Sequence, residues 1–503
     1  MARMPTLKFD RGTLVLHPPP RGKAWVDYAV WDDRIERFRV PADQYRPLVE
    51  ALRAEGVRFE DKVQTFEPID LRSELILTPY AHQQEALQAW KENARKGVVV
   101  LPTAAGKTYL AQMAMQATPR RTLITVPTLD LMHQWYANLE AAFPGVEVGL
   151  LGGGSRDRSP ILVATYDSAA IYAESLGNQY ALLICDECHH LPSDFHRSIA
   201  EYSIAPYRLG LTATPERSDG RHEDLEKLLG AVVYRRTAEE LSGTALAPYQ
   251  IVQIKVQLSE EERDRYAKLQ QQRNDFLQKS NIWLSSPEGW QRFVQASAQS
   301  PAGRRAMLAH RESKNIALGT AGKLTLLEEL LNKHYPERTL IFTNDNATVY
   351  KISQDFLIPA ITHQTPVKER HTILQKFRSG DYSVIVVSHV LNEGVDVPDA
   401  RVAILLSGSG SPREYIQRLG RVLRKGSDGK MALLYEVVAE ETSEEGVSRR
   451  RRQQPAPPKP NTGQLSLIPD SPIPPKTPYK VVEFPDTHRR AAEDPAKWTE
   501  SDR

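Results

Sequence analysis

Two short apolar runs, each ending in residues that handle phosphate, constrain this chain more than any other feature. The first, Val98-Val-Val-Leu101, leads into Pro102-Thr-Ala-Ala-Gly-Lys-Thr108. A buried-type strand followed by a turn of small residues and then Lys-Thr is a phosphate cradle. Amides of Thr103, Ala104, Ala105 and Gly106 face the phosphates, Lys107 reaches the β- and γ-phosphates, and the Thr108 hydroxyl ligates Mg²⁺. The second run, Ala181-Leu-Leu-Ile-Cys185, ends in Asp186-Glu187. A carboxylate pair at a strand tip supplies what a cradle lacks: Asp186 holds Mg²⁺, and Glu187 orients and deprotonates an attacking water. The loop lacks the leading Gly of the general pattern, and Ala104 stands where a related loop often carries Gly. It is the two patterns together, in this order, that point to ATP and Mg²⁺.

The alternation around these runs sets the fold class. Between about residues 71 and 250, apolar strands (Val98–Leu101, Thr122–Val126, Ile161–Ala164, Ala181–Cys185, Tyr207–Leu211) are separated by helical segments. Strands that are apolar throughout imply a parallel sheet covered on both faces. The pattern returns over 319–440 with Thr339–Thr343, Ala360–His363, Val384–Val387, Val402–Leu406 and Met431–Val438. The expectation is α/β, with two parallel-sheet lobes. Residues 1–70 read as a small α+β module: β-type runs at Thr13–Leu16, Trp25–Val30 and Ile35–Val40, then a helix from about Pro41 to Ala54. The polar, helical segment 251–318 reads as an insert between the lobes, with Ser259 and Glu262 spaced as a capping box. Of the 35 prolines, 11 fall in 451–503, so little there could bury a core, and 441–503 reads as a disordered tail.

Bulk numbers exclude several classes. No run reaches membrane-spanning length, and the N-terminus has no apolar signal core. Two cysteines in 503 residues make no disulfide framework, so a reducing cytoplasm is expected. Those cysteines, Cys185 and Cys188, have no second ligand pair to complete a zinc site and read as packing residues. Formal net charge is +2, so any basic track for nucleic acid must be local.

A second constellation follows strand Val402–Leu406. Gln417-Arg-Leu-Gly-Arg-Val-Leu-Arg424 opens a helix that sets Arg421 and Arg424 on one face, where two guanidinium forks suit a γ-phosphate. Gly394 and Asp396 lie in the turn Asn392–Pro398 after strand Val384–Val387, where ligands bind in such sheets.

The motif order resembles a superfamily 2 helicase, and most closely the XPB family in its compact archaeal and bacterial form. Gln83 resembles the adenine-reading glutamine. Val126–Asp130 and Ala164–Asp167 resemble first-lobe DNA-contact motifs, and Leu211-Thr-Ala-Thr-Pro215 the motif that couples hydrolysis to movement. Ile341–Asp345, Thr362–Thr365, Glu393–Asp396 and Gln417–Arg424 resemble second-lobe motifs; the most family-specific stretches are Ser388–Ala400 and Gly408–Arg421. The resemblance implies an ATP-driven 3′→5′ motor on DNA with an N-terminal damage-recognition-like domain and a helical thumb. It implies action at single/double-strand junctions in repair, and a possible partner nuclease. One departure stands out: the family carries Arg-Glu-Asp where this chain has Arg217-Ser218-Asp219.

In the insert, Arg304, Arg305, Arg311 and Lys314 are candidate phosphate contacts, and Trp283 and Trp290 candidate stacking surfaces. In the tail, Gln464-Leu-Ser-Leu-Ile468 resembles the peptide by which bacterial proteins dock on the sliding clamp, with Ile468 in the usual aromatic place. Competing readings are a duplex translocase of a restriction or phage-defence system with a partner nuclease, and a DNA-binding scaffold without turnover.

Overall fold

The computed structural model describes residues 4–64, 66–73, 77–217, 219–284, 287–388, 400–407, 431–452 and 479–483. They fall into two units, one running to Leu246 and one beginning at Ala247.

The first unit opens with a five-stranded sheet, β1 (Thr6–Asp10), β2 (Thr13–His17), β3 (Val30–Asp32), β4 (Arg37–Pro41) and β5 (Glu60–Lys62), in the order β3-β4-β2-β1-β5. Helix α1 (Tyr45–Ala54) buries Tyr45, Leu48, Val49 and Leu52, a helical spacing, against Leu7, Leu14, Leu16 and Val40. Ile204, which belongs to the next domain, joins this core, so the module is packed onto its neighbour. Trp25–Val30 is not the strand its apolar residues suggest. Val26–Tyr28 is a 3₁₀ turn, and Trp25 turns inward to meet the Phe38 ring edge-on at 4.7 Å.

The first α/β lobe contains helix α2 (Ala81–Glu92), β6 (Lys96–Val100), helix α3 (Lys107–Ala117), β7 (Thr122–Val126), helix α4 (Leu129–Ala142), β8 (Val148–Gly152), β9 (Ser155–Arg156), β10 (Ile161–Thr165), β11 (Leu182–Asp186), β12 (Tyr207–Thr212) and β13 (Val232–Arg235). Strand order is β13-β6-β12-β11-β7-β10-β8-β9, parallel except at β8–β9. Every residue of β7, β10 and β11 is buried, as strands covered on both faces require. Because β12 lies between β6 and β11, the loop after β6 and the carboxylates ending β11 flank the end of one shared neighbour.

The second unit begins with β14 (Tyr249–Val256). The expected boundary, with the first lobe ending at 250 and the insert starting at 251, cuts through this strand. The structure instead puts β14 in the second sheet, pairing in parallel with β19 (Ala432–Ala439). That sheet also holds β15 (Thr339–Phe342), β16 (Ala360–Ile361), β17 (Val384–Val387), β18 (Val402–Leu405) and β20 (Tyr479–Glu483), in the order β16-β17-β15-β18-β19-β14-β20. The insert is therefore an excursion from this unit: helices Glu260–Lys279, Pro287–Gln299 and Pro301–Gly319 around Leu277, Ile282, Phe293 and Ala306. Glu262 pins both of its ends. It closes the capping box with Ser259, and its carboxylate accepts from the Thr320 hydroxyl at 2.7 Å and the Ala321 amide at 3.2 Å.

The disorder expected from Glu441 onward does not hold for two described pieces. Helix Ser443–Arg452 follows β19 directly, and β20 pairs with β14. The helix reads as solvated because its anchors are polar. Glu444 is 3% exposed and accepts from Lys323 Nζ at 2.7 Å and the Ala439 amide at 2.8 Å, while Ser448 donates to Glu436 at 2.8 Å. A polar sequence pattern cannot reveal that its partners are buried too.

Candidate nucleotide site

Backbone geometry shapes the loop between β6 and α3. Ala104 (φ 67°) and Gly106 (φ 78°) both take left-handed conformations, which turn the chain sharply into the first turn of α3. At Gly106 the positive φ disfavours a side chain, and a Cβ would lie 2.2 Å from Gln83 Nε2, so the amide that clamps the loop would have to move. The first amides of α3 have no partner within the helix and carry the positive end of its dipole. Lys107 and Thr108 are its first two residues.

Gln83 on α2 clamps the loop from outside. Its side-chain oxygen accepts from the Tyr80 amide at 2.9 Å, and its nitrogen donates to the carbonyls of Gly106 at 3.1 Å and Ala105 at 3.4 Å. His82 Nε2 lies 2.9 Å from the Ala105 carbonyl. Lys107 Nζ donates to the Leu101 carbonyl at 3.2 Å and stands 3.9 Å from Glu187 Oε1, so the cation already faces the carboxylates.

At the end of β11, Asp186 is 6% exposed. Its two oxygens accept from Trp135 Nε1 at 2.9 Å and from the Glu187 amide at 3.0 Å. Burial raises its carboxyl above the usual carboxylate range, and the charge of Glu187 adds to the shift. Glu187 has a left-handed backbone (φ 48°), uncommon for a residue with a Cβ and a sign that the position is overdetermined by its surroundings. Its side chain meets the Thr212 hydroxyl at 3.4 Å and His189 Nδ1 at 3.5 Å. Thr212 in turn touches His189 Nδ1 at 3.1 Å and accepts from the Thr214 amide at 3.2 Å. Arg217 donates to the His189 carbonyl at 2.6 Å and grips Asp219 with two nitrogens, at 2.9 and 2.7 Å.

These residues fit a nucleotide triphosphate tail. The cradle provides a helix N-terminus, a lysine and a hydroxyl, and the Thr103 hydroxyl in its wall is buried with no hydrogen-bond partner among the described residues. The structure thus brings together Gln83, Thr103, Ala104, Ala105, Gly106, Lys107, Thr108, Asp186 and Glu187. Gly394, Asp396, Gln417, Arg421 and Arg424 lie outside the described residues, as do Ser218 and the Gln464–Ile468 peptide. Sequence reading missed Trp135 and His189. The usable signal for Trp135 was the spacing of Met132, Trp135, Leu139 and Ala142, all buried on one face of α4. Nothing in that spacing announces a hydrogen bond to Asp186.

Cys185 and Cys188 are both free and buried in the core of the lobe, and burial pushes the Cys185 thiol up to about 12. In the insert, Arg304, Arg305, Arg311 and Lys314 are exposed on helix Pro301–Gly319. The two tryptophans differ: Trp283 is 75% exposed, whereas Trp290, 42% exposed, packs one side on Phe293 and His310, with centroids at 5.8 and 5.3 Å.

A phosphate loop and a strand-end Asp-Glu pair in one parallel-sheet lobe, followed by a second such lobe, define a helicase motor of the superfamily 2 type. Residues 7–63 match the model of the xeroderma pigmentosum group B helicase damage recognition domain, 76–217 that of the type III restriction enzyme res subunit, and 322–426 that of the helicase conserved C-terminal domain. The chain is 42% identical to the DNA 3'-5' translocase XPB2 of Sulfurisphaera tokodaii, across 84% of this chain and 95% of that one. It is 29% identical to the putative DNA 3'-5' helicase Rad25 of Halobacterium salinarum, across 82% of this chain but 62% of that longer protein. Among solved structures, the Hef helicase domain of Pyrococcus furiosus superposes with a TM-score of 0.52 at 18% identity, covering 74% of this chain and 98% of that one. The chain belongs to the XPB family of helicases.

Proposed function

We propose that the chain is an ATP-dependent DNA motor that moves 3′→5′ on DNA or opens it, in repair of the nucleotide-excision kind. One observation carries the reading: Lys107, Asp186 and Glu187 converge beside a phosphate-binding helix start, in a chain 42% identical to a DNA 3'-5' translocase over most of its length. Lys107 and the loop amides hold the phosphates, and Thr108 and Asp186 hold Mg²⁺, which when bound neutralises developing phosphate charge. Glu187 takes the proton of the attacking water. Gln83 serves the adenine side while tied to the loop, and Thr212 and Thr214 carry the state of Glu187 toward the DNA-facing segments. Gly394, Asp396, Gln417, Arg421 and Arg424 complete the γ-phosphate environment.

The DNA partner is a single/double-strand junction. ATP hydrolysis should be measured without DNA and with single strands, blunt duplex, forks and bubbles. Strongest stimulation by forks or bubbles, with displacement of a strand whose partner carries a 3′ tail, is expected. The match of residues 76–217 to the type III restriction model favours a second reading, a duplex translocase working with a nuclease. Equal stimulation by blunt duplex, with triplex displacement but no unwinding, would select it. No turnover on any DNA would leave a scaffold. Among the described residues, no helix is long and apolar enough to cross a membrane, and a nucleoid location in the cytoplasm suits the substrate.

The tail supplies a further partner, a sliding clamp bound through Gln464–Ile468. Two leucines and Ile468 fill an apolar groove, and Gln464 sets the register. A peptide spanning 461–470 should bind clamp in the micromolar range, roughly the affinity of a short flexible ligand. Failure of the intact peptide to bind would remove this partner.

A further inference from the structure

A cavity of 460 Å³ lies where α1 meets the first lobe, lined by Arg46, Arg53, Arg95, Arg120, Tyr207 and Glu50 among others. Four arginines and one glutamate thus line it, and Asp61 stands beside it, accepting from the lining Tyr45 hydroxyl at 2.6 Å and Gln64 amide at 3.4 Å. Its place in the fold separates it from the nucleotide site. Arg95 immediately precedes β6, Arg120 lies just before β7, and Tyr207 starts β12. These are the N-terminal ends of strands whose C-terminal ends carry the phosphate loop and Thr212. Strands of five or six residues put roughly 15–20 Å between the two ends.

Arg46 is structurally committed, whereas Arg95 is positioned but keeps a buried nitrogen without a described partner. Arg46 donates to the carbonyls of Ala94 and Pro206, at 3.1 and 3.4 Å, and pairs with Glu50 at 2.8 Å. Arg95 lies over the Tyr207 ring, 5.7 Å from its centroid, and its Nε is buried with no hydrogen-bond partner among the described residues. The backbone that presents it is unusual. Ala94 (φ 54°) and Arg95 (φ 58°) are consecutive left-handed residues, and the Lys96 amide closes the turn on the Asn93 carbonyl at 3.0 Å. That is a type I′ turn, whose central positions normally go to Asn-Gly. Here an arginine is kept in a conformation its Cβ disfavours, at the mouth of a basic cavity. The Lys96 ammonium beside it is pushed below its usual range, chiefly by burial, with the charges of Arg208 and Arg46 adding to the shift and that of Asp43 opposing it.

We propose that this cavity is a phosphate-binding site, separate from the nucleotide loop, in which Arg53, Arg95 and Arg120 grip a phosphate group while Arg46 ties α1 to the lobe. Planar guanidinium forks match phosphate oxygens in pairs, and an unpaired buried Nε is satisfied by such an acceptor. The phosphate belongs either to a free polyphosphate or to a DNA backbone passing the seam.

The test uses the full chain with its nucleotide loop saturated by Mg-ADP. Wild type and Arg53→Glu/Arg120→Glu are titrated with inorganic pyrophosphate and with a 3′-tailed duplex at several salt concentrations. Arg53 is exposed and Arg120 half-buried, with its guanidinium donating to the Pro119 carbonyl at 3.0 Å, and matched melting curves check folding. One equivalent of pyrophosphate binding that the double variant loses, with unchanged DNA affinity, supports a free-phosphate site. DNA binding weakened roughly tenfold, with the salt slope reduced by about one to two, supports a backbone site. Neither ligand affected would overturn the proposal. So would the same change from Arg58→Glu, an exposed arginine of the same module outside the cavity lining, because the effect would then be diffuse charge. DNA-free ATP hydrolysis is expected to be equal in all of these proteins, so failure here is distinguishable from failure of the motor reading.

Discussion

Trp135 Nε1 donates a hydrogen bond of 2.9 Å to Asp186 Oδ2, joining the buried face of α4 to the carboxylate proposed to hold Mg²⁺. The indole is 1% exposed, so the bond is shielded from water, and with the Glu187 amide on the other oxygen it fixes the carboxylate plane. Trp135→Phe keeps most of the packing and removes the donor. A hydrogen bond to a charged group contributes about 1.5–3 kcal/mol, so Mg²⁺ affinity is expected to fall by roughly 10- to 100-fold. Manganese binding followed by electron paramagnetic resonance in the presence of ADP reads this directly, apart from turnover. An unchanged metal affinity would leave Trp135 as a packing residue.

Glu187 and Lys107 face each other at 3.9 Å but are expected to fail differently. Glu187→Gln keeps size and polarity and removes only the base. Hydrolysis should slow by roughly 10²–10⁴, while ATP binding stays close to wild type. Lys107→Ala removes a phosphate contact present before and during reaction, so both binding and turnover should drop. Fluorescent-nucleotide titration beside steady-state hydrolysis separates the two. Near-normal hydrolysis by Glu187→Gln would end the assignment.

Arg421 and Arg424 belong to the second lobe's sequence and are proposed to act on transition-state charge. Arg424→Ala should abolish DNA-stimulated turnover, with a loss of about 10³–10⁵ for a lost arginine of this type, and leave nucleotide binding intact. Stimulation that persists would make both arginines surface charge.

Legibility differed between these features for physical reasons. Strands buried on both faces announce themselves as continuous apolar runs, which is why β7 and β17 have the limits expected from sequence alone. Tyr249-Gln-Ile-Val-Gln-Ile-Lys-Val256 carries much of a strand's alternation, but its place in the second sheet is set by β19, about 180 residues further on, which no local pattern encodes. The helix at Ser443–Arg452 was missed because Glu444 and Ser448 pair with buried Lys323 and Glu436, which no local pattern encodes. At the site, the atoms that touch phosphate were legible because their chemistry fixes their spacing. Trp135 and His189 were not, because positioning depends on where α4 and the turn after β11 come to rest.

The insert's tryptophans now carry opposite expectations. Trp283 is 75% exposed, and stacking of a base on such a ring contributes about 1–3 kcal/mol. Trp283→Ala should therefore weaken DNA binding without changing the melting curve. Trp290 is held against Phe293 and His310, so Trp290→Ala should destabilise the three-helix bundle first. Anisotropy with a tailed duplex, beside thermal melts, distinguishes them. Reversed behaviour would refute this division of roles.

Lys323 and Glu444 form an ion pair at 2.7 Å with both side chains almost fully buried, and Lys323 Nζ also donates to the Leu406 carbonyl at 2.7 Å. Such a pair adds little relative to well-packed apolar residues, because desolvation offsets the attraction, but removing one partner strands a buried charge. Glu444→Ala should destabilise the second unit by about 3–5 kcal/mol. It should also release helix Ser443–Arg452, since Glu444 caps the Ala439 amide as well. Lys323→Met with Glu444→Leu should recover most of that loss. A chain with two units does not unfold in one step, so a single global midpoint is the wrong measure. Hydrogen exchange in β18, β19 and helix Ser443–Arg452 localises the effect. A single variant as well protected as wild type would show that solvent reaches this pair and that the helix is anchored elsewhere.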